Sequence, residues 1–129
     1  MLDDAKTLTG DVFTLRFLKS YKKSLKDTFK RIPLAERTGH IAEIETAFKY
    51  LRTVGRVEKT MVWKPAGTIK DSGGQKFWEL NKRRLRIYGW ISEKYPDSIV
   101  FSHSALKDTQ KTAPDDTKLI SERWKKMEK

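Results

Sequence analysis

Between Val12 and Phe17 apolar and polar positions alternate. Phe13, Leu15 and Phe17 fall on one side and Val12, Thr14 and Arg16 on the other, a period of two that predicts a strand. The spacing then lengthens to three and four. Leu18, Tyr21, Leu25, Phe29 and Ile32 line one face of a helix, which stops at Pro33 because proline cannot extend the hydrogen-bond ladder. Ile41, Ile44, Phe48 and Leu51 repeat that spacing within 38–54, with Gly55 as the C-terminal stop, so the two segments predict a helical hairpin. Residues 1–11 read as a flexible start. Residues 56–75 read as an irregular connector: Val62-Trp63 is a candidate short strand, but Pro65, Gly67 and Gly73-Gly74 break any longer pattern.

From Lys76 the period of two returns. Phe77 to Leu80 predicts a short strand, Asn81-Lys82 a turn, and Arg83 to Ser92 a longer strand. Leu85, Ile87 and Ile91 point one way along it; Arg84, Arg86, Tyr88 and Trp90 point the other. Pro96-Asp97 marks a further turn, and Ser98 to His103 a strand. A closing helix over 114–127 has Thr112 as its expected N-cap and Ile120, Trp124 and Met127 as its buried stripe. The string is β-α-α-β-β-β-α. It describes a single α+β domain over 1–129, a mostly antiparallel sheet packed by an N-terminal helical hairpin and a C-terminal helix.

Charge changes the picture. The 129 residues include 28 Lys plus Arg against 17 Asp plus Glu, a formal net charge of +11. The excess is spread through the fold: residues 1–66 hold 14 basic and 8 acidic groups, and residues 67–129 hold 14 and 9. A polyanion, with nucleic acid foremost, is the expected partner. The absence of Cys excludes disulfides, thiolate metal sites and cysteine nucleophiles, and two His distant in sequence disfavour a zinc site. No cofactor or metal is expected. No apolar run is long enough to span a bilayer and Met1-Leu2-Asp3-Asp4 lacks a signal-peptide core, so a cytoplasmic protein without membrane contacts is expected.

Three groups of basic residues are candidates for chemistry. On the first helix Lys19, Lys22, Lys23, Lys26 and Lys30 form a stripe within about 100° of arc. Such a stripe serves either as a solvated face or as a rail for an anion or an acidic partner. On the longer strand, guanidinium groups alternate with rings; arginine forks match phosphate oxygens, and aromatic faces stack on unpaired bases. The alternative is that Tyr88 and Trp90 cover a second core beneath the last helix. After the last strand come His103, Lys107 and Lys111, near a helix N-terminus that favours anions. His103 is in phase with Ile99 and Phe101, which also suits a buried structural histidine. No GxSxG elbow and no gathered carboxylates are present, so serine hydrolysis and two-metal hydrolysis are disfavoured. RNA offers another route, because its 2′-hydroxyl is a built-in nucleophile that basic side chains can activate without metal.

The C-terminal segments Phe77-Trp78-Glu79-Leu80, Arg86-Ile87-Tyr88, Ile99 to Ser104, and Lys107 followed by Thr109-Gln110-Lys111-Thr112 together resemble the RelE/ParE toxin superfamily, in particular its HigB-like, phage-associated branch. The resemblance covers residues 76–129; over 12–55 it extends only to element order. It departs from the family pattern at Asn81, Asp108 and Ala113. The resemblance implies a toxin of a type II toxin–antitoxin system, acting as a metal-independent, ribosome-dependent mRNA endoribonuclease. Its partners would be the ribosome, mRNA and a cognate helix-turn-helix antitoxin. Carried over by position, Arg86 would stabilise the transition state and Lys107 and Lys111 would act at the scissile phosphate. His103 would be an acid or base. Beyond those matched positions, Arg84 and Lys76 are expected to hold neighbouring phosphates, and Tyr88 and Trp90 are the strand-face candidates for contact with bases. A ParE-like gyrase inhibitor and a plain RNA-binding module are the non-catalytic alternatives.

Overall fold

The computed structural model describes residues 5–58, 61–107 and 113–129. Lys111 and Thr112 therefore lie outside the described residues. Two short strands, β1 (Ala5–Leu8) and β2 (Thr14–Leu18), lead into helices α1 (Lys19–Lys30) and α2 (Leu34–Thr53). A meander follows through β3 (Val62–Thr68), β4 (Lys76–Lys82), β5 (Leu85–Ile91) and β6 (Ser98–Leu106), and α3 (Pro114–Glu128) closes the chain. The fold is α+β: the six strands form one mixed sheet in the order β1-β2-β6-β5-β4-β3. β2 runs parallel to β6 and every other pairing is antiparallel.

Alternation along β5 and β6 distributes side chains to two cores. Leu15, Phe17, Leu85, Ile87, Ile99 and Phe101 pack beneath α1 and α2, together with Tyr21, Ile44, Phe48 and Leu51. Phe101 is the hinge of this core, with ring centroids 5.4 Å from Phe17 and 5.0 Å from Phe48. On the opposite face Phe77, Tyr88, Trp90 and Val100 pack under Ile120, Trp124 and Met127 of α3. A sheet covered on both faces buries its central strands without interruption, and six consecutive residues of β5, Leu85 to Trp90, are buried. Tyr88 and Trp90 are 1% and 0% exposed. The expectation that they stand on an open face is therefore corrected: α3 occupies it, and neither ring can stack on a base there.

Four further expectations are corrected. Residues 5–8 and 62–68, read as flexible start and connector, are strands at the two edges of the sheet. An edge tolerates Pro65 because one side of the strand needs no donor, and the register shift between Pro65 and Gly67 absorbs the irregularity. The β4–β5 turn falls on Arg83-Arg84 rather than Asn81-Lys82, with Arg83 at φ 55°. Asn81 stays in the ladder, paired with Arg86, and its amide finds Glu79 at 3.1 Å instead of closing a turn. Within α2, Ile44, Phe48 and Leu51 are buried as their spacing predicts, but Ile41 lies at the edge of that face, 46% exposed, and His40 beside it is buried instead. Finally, α3 takes Ala113 as its N-cap, with Pro114 in the first turn.

A hydroxyl stripe on α1 completes the sheet. β2 accompanies β6 only from Ser98 to Phe101, which leaves the following backbone without a strand partner on that side. There Ser20 Oγ donates to Ser102 O at 3.0 Å, and Ser24 Oγ accepts from the Ser104 N–H at 2.9 Å. Thr28 Oγ1 and Ser104 Oγ, 2.9 Å apart, extend the series. The geometry matches because four helical residues rise about 6 Å and two strand residues about 6.6 Å.

Candidate functional site

Pairing between β5 and β6 brings most of the strand-borne candidates to one face. Arg86 lies opposite Ala105 and Tyr88 opposite His103. Beyond the strand end the Lys107 N–H donates to Arg84 O at 2.7 Å, so the ladder continues by one rung. Residues 103, 105 and 107 share a side by alternation, and Arg86 is flanked diagonally by His103 and Lys107 across the small Ala105 side chain. Glu79 and Asn81 of β4 face the same way, opposite Tyr88 and Arg86. This is the α3 face of the sheet.

Each charge there has a counter-charge. The His103 imidazole makes a 2.8 Å contact from Nε2 to Asp116 Oδ1 and a 3.0 Å contact from Nδ1 to Ser102 Oγ. Arg123 Nη1 donates to Ser102 Oγ at 3.1 Å. An imidazole with its proton on Nε2 satisfies both contacts, since the Ser102 hydroxyl then donates to Nδ1. Lys107 Nζ forms an ion pair with Asp116 Oδ2. Burial alone pushes the Asp116 carboxyl up, but hydrogen bonds from His103 and Lys107, with their charges, outweigh it and hold the group below its ordinary value. The first turn of α3 adds the positive end of its dipole. Sequence reading missed Asp116 as a site residue, and the signal was weak: one of two adjacent aspartates at a helix start.

Arg86 is 3% exposed. Its Nη1 donates to Arg83 O and Leu85 O, and Nε lies 3.9 Å from Glu79 Oε2. Lys64 Nζ approaches Glu79 Oε1 at 3.7 Å. Arg86 thus braces the β4–β5 turn from below, while Arg84 on that turn is exposed. His103, also 3% exposed, is sealed beneath α3. The Ser102–His103–Asp116 series has the residue types of a hydrolytic triad, but Ser102 is fully buried and already bonded to Arg123, so it acts as a staple between β6 and α3.

The remaining candidates lie elsewhere. Lys76 sits at the far end of β4, about 17 Å along the strand from Asn81 and on the opposite side by alternation. Lys19, Lys22, Lys23, Lys26 and Lys30 are all exposed on the outer side of α1, away from the cluster. Among the described residues no group of His, Asp and Glu converges as metal ligands do, and no helix is long and apolar enough to cross a membrane. No protein-family model matches the chain, and neither does any curated protein or solved structure.

Proposed function

We propose that the protein is a RelE/HigB-like toxin that cleaves mRNA on the ribosome without a metal ion, held in check by a cognate antitoxin. The observation that carries this reading is the placement of Arg86, His103 and Lys107 on one face at one end of the β5–β6 pair, with Arg84 joined to Lys107 through the backbone. Element order supports it too: with edge strands β1 and β3 set aside, the chain runs β-α-α-β-β-β-α.

In this reading the roles divide by exposure. Arg86 and His103 are positioning residues: one fixes the turn that carries Arg84, the other orients Asp116 beneath Lys107. Lys107 and Arg84 are the groups that meet RNA. A phosphate arriving at Lys107 competes with Asp116 for its ammonium group. The 2′-oxygen attacks phosphorus, the 2′-hydroxyl proton leaves to solvent, and the bond from phosphorus to the 5′-oxygen breaks. Lys107 and Arg84 stabilise the charge on the phosphorane, and Lys107 protonates the departing 5′-oxygen. The products are a 2′,3′-cyclic phosphate and a 5′-hydroxyl. The α1 lysine stripe supplies a second, non-catalytic surface for ribosomal RNA or an acidic antitoxin segment.

The test is induction in a bacterial host followed by primer extension on an abundant transcript. Discrete cuts that vanish in Lys107→Gln are expected, with a loss of about 10²–10³ in rate if one charge-stabilising donor is removed. A second reading is favoured by the pairing of Lys107 with Asp116 and the burial of Tyr88 and Trp90, which suit a non-catalytic module. Growth arrest with intact transcripts and damaged chromosomes selects a gyrase-directed module; no toxicity selects a plain RNA binder.

A further inference from the structure

Positive charge also gathers at a corner distinct from the His103–Asp116 cluster, where the α1–α2 turn meets the β4–β5 turn. A cavity of about 160 Å3 opens there, with Arg31 and Pro33 on the helical side and Arg83 and Arg84 on the strand side. His40 of α2 lines it as well; it is 8% exposed, and its Nδ1 has no hydrogen-bond partner. The Nδ1 atom itself is closed from solvent, and the His40 ring stands in a cavity wall that guanidinium groups also line. The same corner receives the start of α2, a 20-residue helix with Pro33 at the N-cap and no side-chain capping bond. Its first-turn amides and positive dipole end therefore add to the field. Glu36 is the one carboxylate in the lining, 3.8 Å from Arg83 and half exposed.

We propose that this corner binds a phosphate group. Arg31, Arg83 and Arg84 hold its oxygens near the positive end of α2, with the His40 ring in the cavity wall as the neighbour that senses the anion. The group is a phosphate of an RNA strand or a free phosphate; the chemistry is shared, and the test separates the two sources. The RNA source rests on the proposed function, since Arg84 links this corner to Lys107 through the 2.7 Å ladder bond. The phosphate site itself does not.

The experiment follows the ring resonances of His40 and His103 in the full chain during titration with inorganic phosphate at constant ionic strength. A saturable shift of His40, with His103 unmoved, is expected. Arg31→Gln and Arg83→Gln change exposed side chains, and each should weaken phosphate binding roughly three- to tenfold. A short single-stranded oligoribonucleotide that reproduces the His40 shift and displaces phosphate assigns the RNA source. An oligoribonucleotide that leaves His40 unmoved while phosphate binds assigns the free anion. No saturable His40 shift, or the same shift in the Arg31→Gln/Arg83→Gln double variant, overturns the site. Loss of RNA cleavage leaves the phosphate result unaffected, so the two readings fail separately.

Discussion

The Nε2 atom of His103 lies 2.8 Å from Oδ1 of Asp116, and the two groups tie the last strand to the first turn of α3 from beneath the surface. Lys107 closes the other side of the same carboxylate. One aspartate therefore serves an imidazole and an ammonium group and fixes how α3 sits on the sheet.

Replacing Asp116 by Asn leaves Lys107 without its counter-charge and His103 without its carboxylate partner. The expected cost is about 2–4 kcal/mol in urea unfolding near neutral pH, as for other mostly buried ion pairs broken on one side. The pH dependence has a definite sign. Because the folded state holds the Asp116 carboxyl below its ordinary value of 3.8, the unfolded chain takes up the proton first. The contribution is complete above that value and is lost as pH falls through the lowered one. The stability gap between the natural chain and Asp116→Asn should thus be widest above about pH 5 and shrink in acid. A gap that widens in acid contradicts the assignment.

Ser24→Ala removes the acceptor of the Ser104 N–H at a stretch of β6 that has no strand on that side. The expected loss is about 1–2 kcal/mol, with faster hydrogen exchange at the Ser104 amide. Ser20→Ala should cost less, because Ser102 O also receives Arg123 Nη1 at 3.3 Å.

Two glycines separate by environment. A Cβ on Gly89 would stand 2.4 Å from Val100 O, a backbone atom in the centre of the sheet, whereas one on Gly39 meets nothing within 4 Å on α2. Gly89→Ala is expected to lose about 2–3 kcal/mol, since the carbonyl cannot move without breaking the ladder. Gly39→Ala is expected to gain about 0.5–1 kcal/mol from helix propensity. Thermal melts of the pair read both signs.

Much of the architecture is written in local pattern. The period of two in β2, β5 and β6 sorts Leu85 and Ile87 from Tyr88 and Trp90, and Pro33 separates the helices. What the pattern lacks is partnership. β1 and β3 are strands because β2 and β4 lie beside them, and Pro65 masks the second. The phase of α2 is legible from Ile44, Phe48 and Leu51, but the burial of His40 in place of Ile41 at the edge of that face is not. The candidate site was partly legible: alternation put Arg86 and Tyr88 together, but only the register shows His103 opposite Tyr88. The covering of that face by α3, and the pairing of Lys107 with Asp116, are tertiary facts that spacing does not encode. The α1 wheel is a middle case. Its lysine and apolar stripes are evident, and Ser20, Ser24 and Thr28 form a third at the same spacing that acquires meaning only beside β6.

Reversing Lys22, Lys23 and Lys26 to Glu changes exposed positions and should leave the melting temperature nearly unchanged. Binding to single-stranded RNA should fall, and its dependence on salt should flatten by about 0.7 in log–log slope for each phosphate that α1 no longer neutralises. An unchanged slope removes α1 from the binding surface.

The chemistry of the cut ends tests the central claim most directly. RNA cleaved in a translating system should carry 2′,3′-cyclic phosphate and 5′-hydroxyl termini, and a 2′-deoxy nucleotide at the cut position should block cleavage. Termini of 3′-hydroxyl and 5′-phosphate, or intact RNA in the presence of folded protein, contradict an enzyme that works through basic side chains and the RNA's own 2′-oxygen.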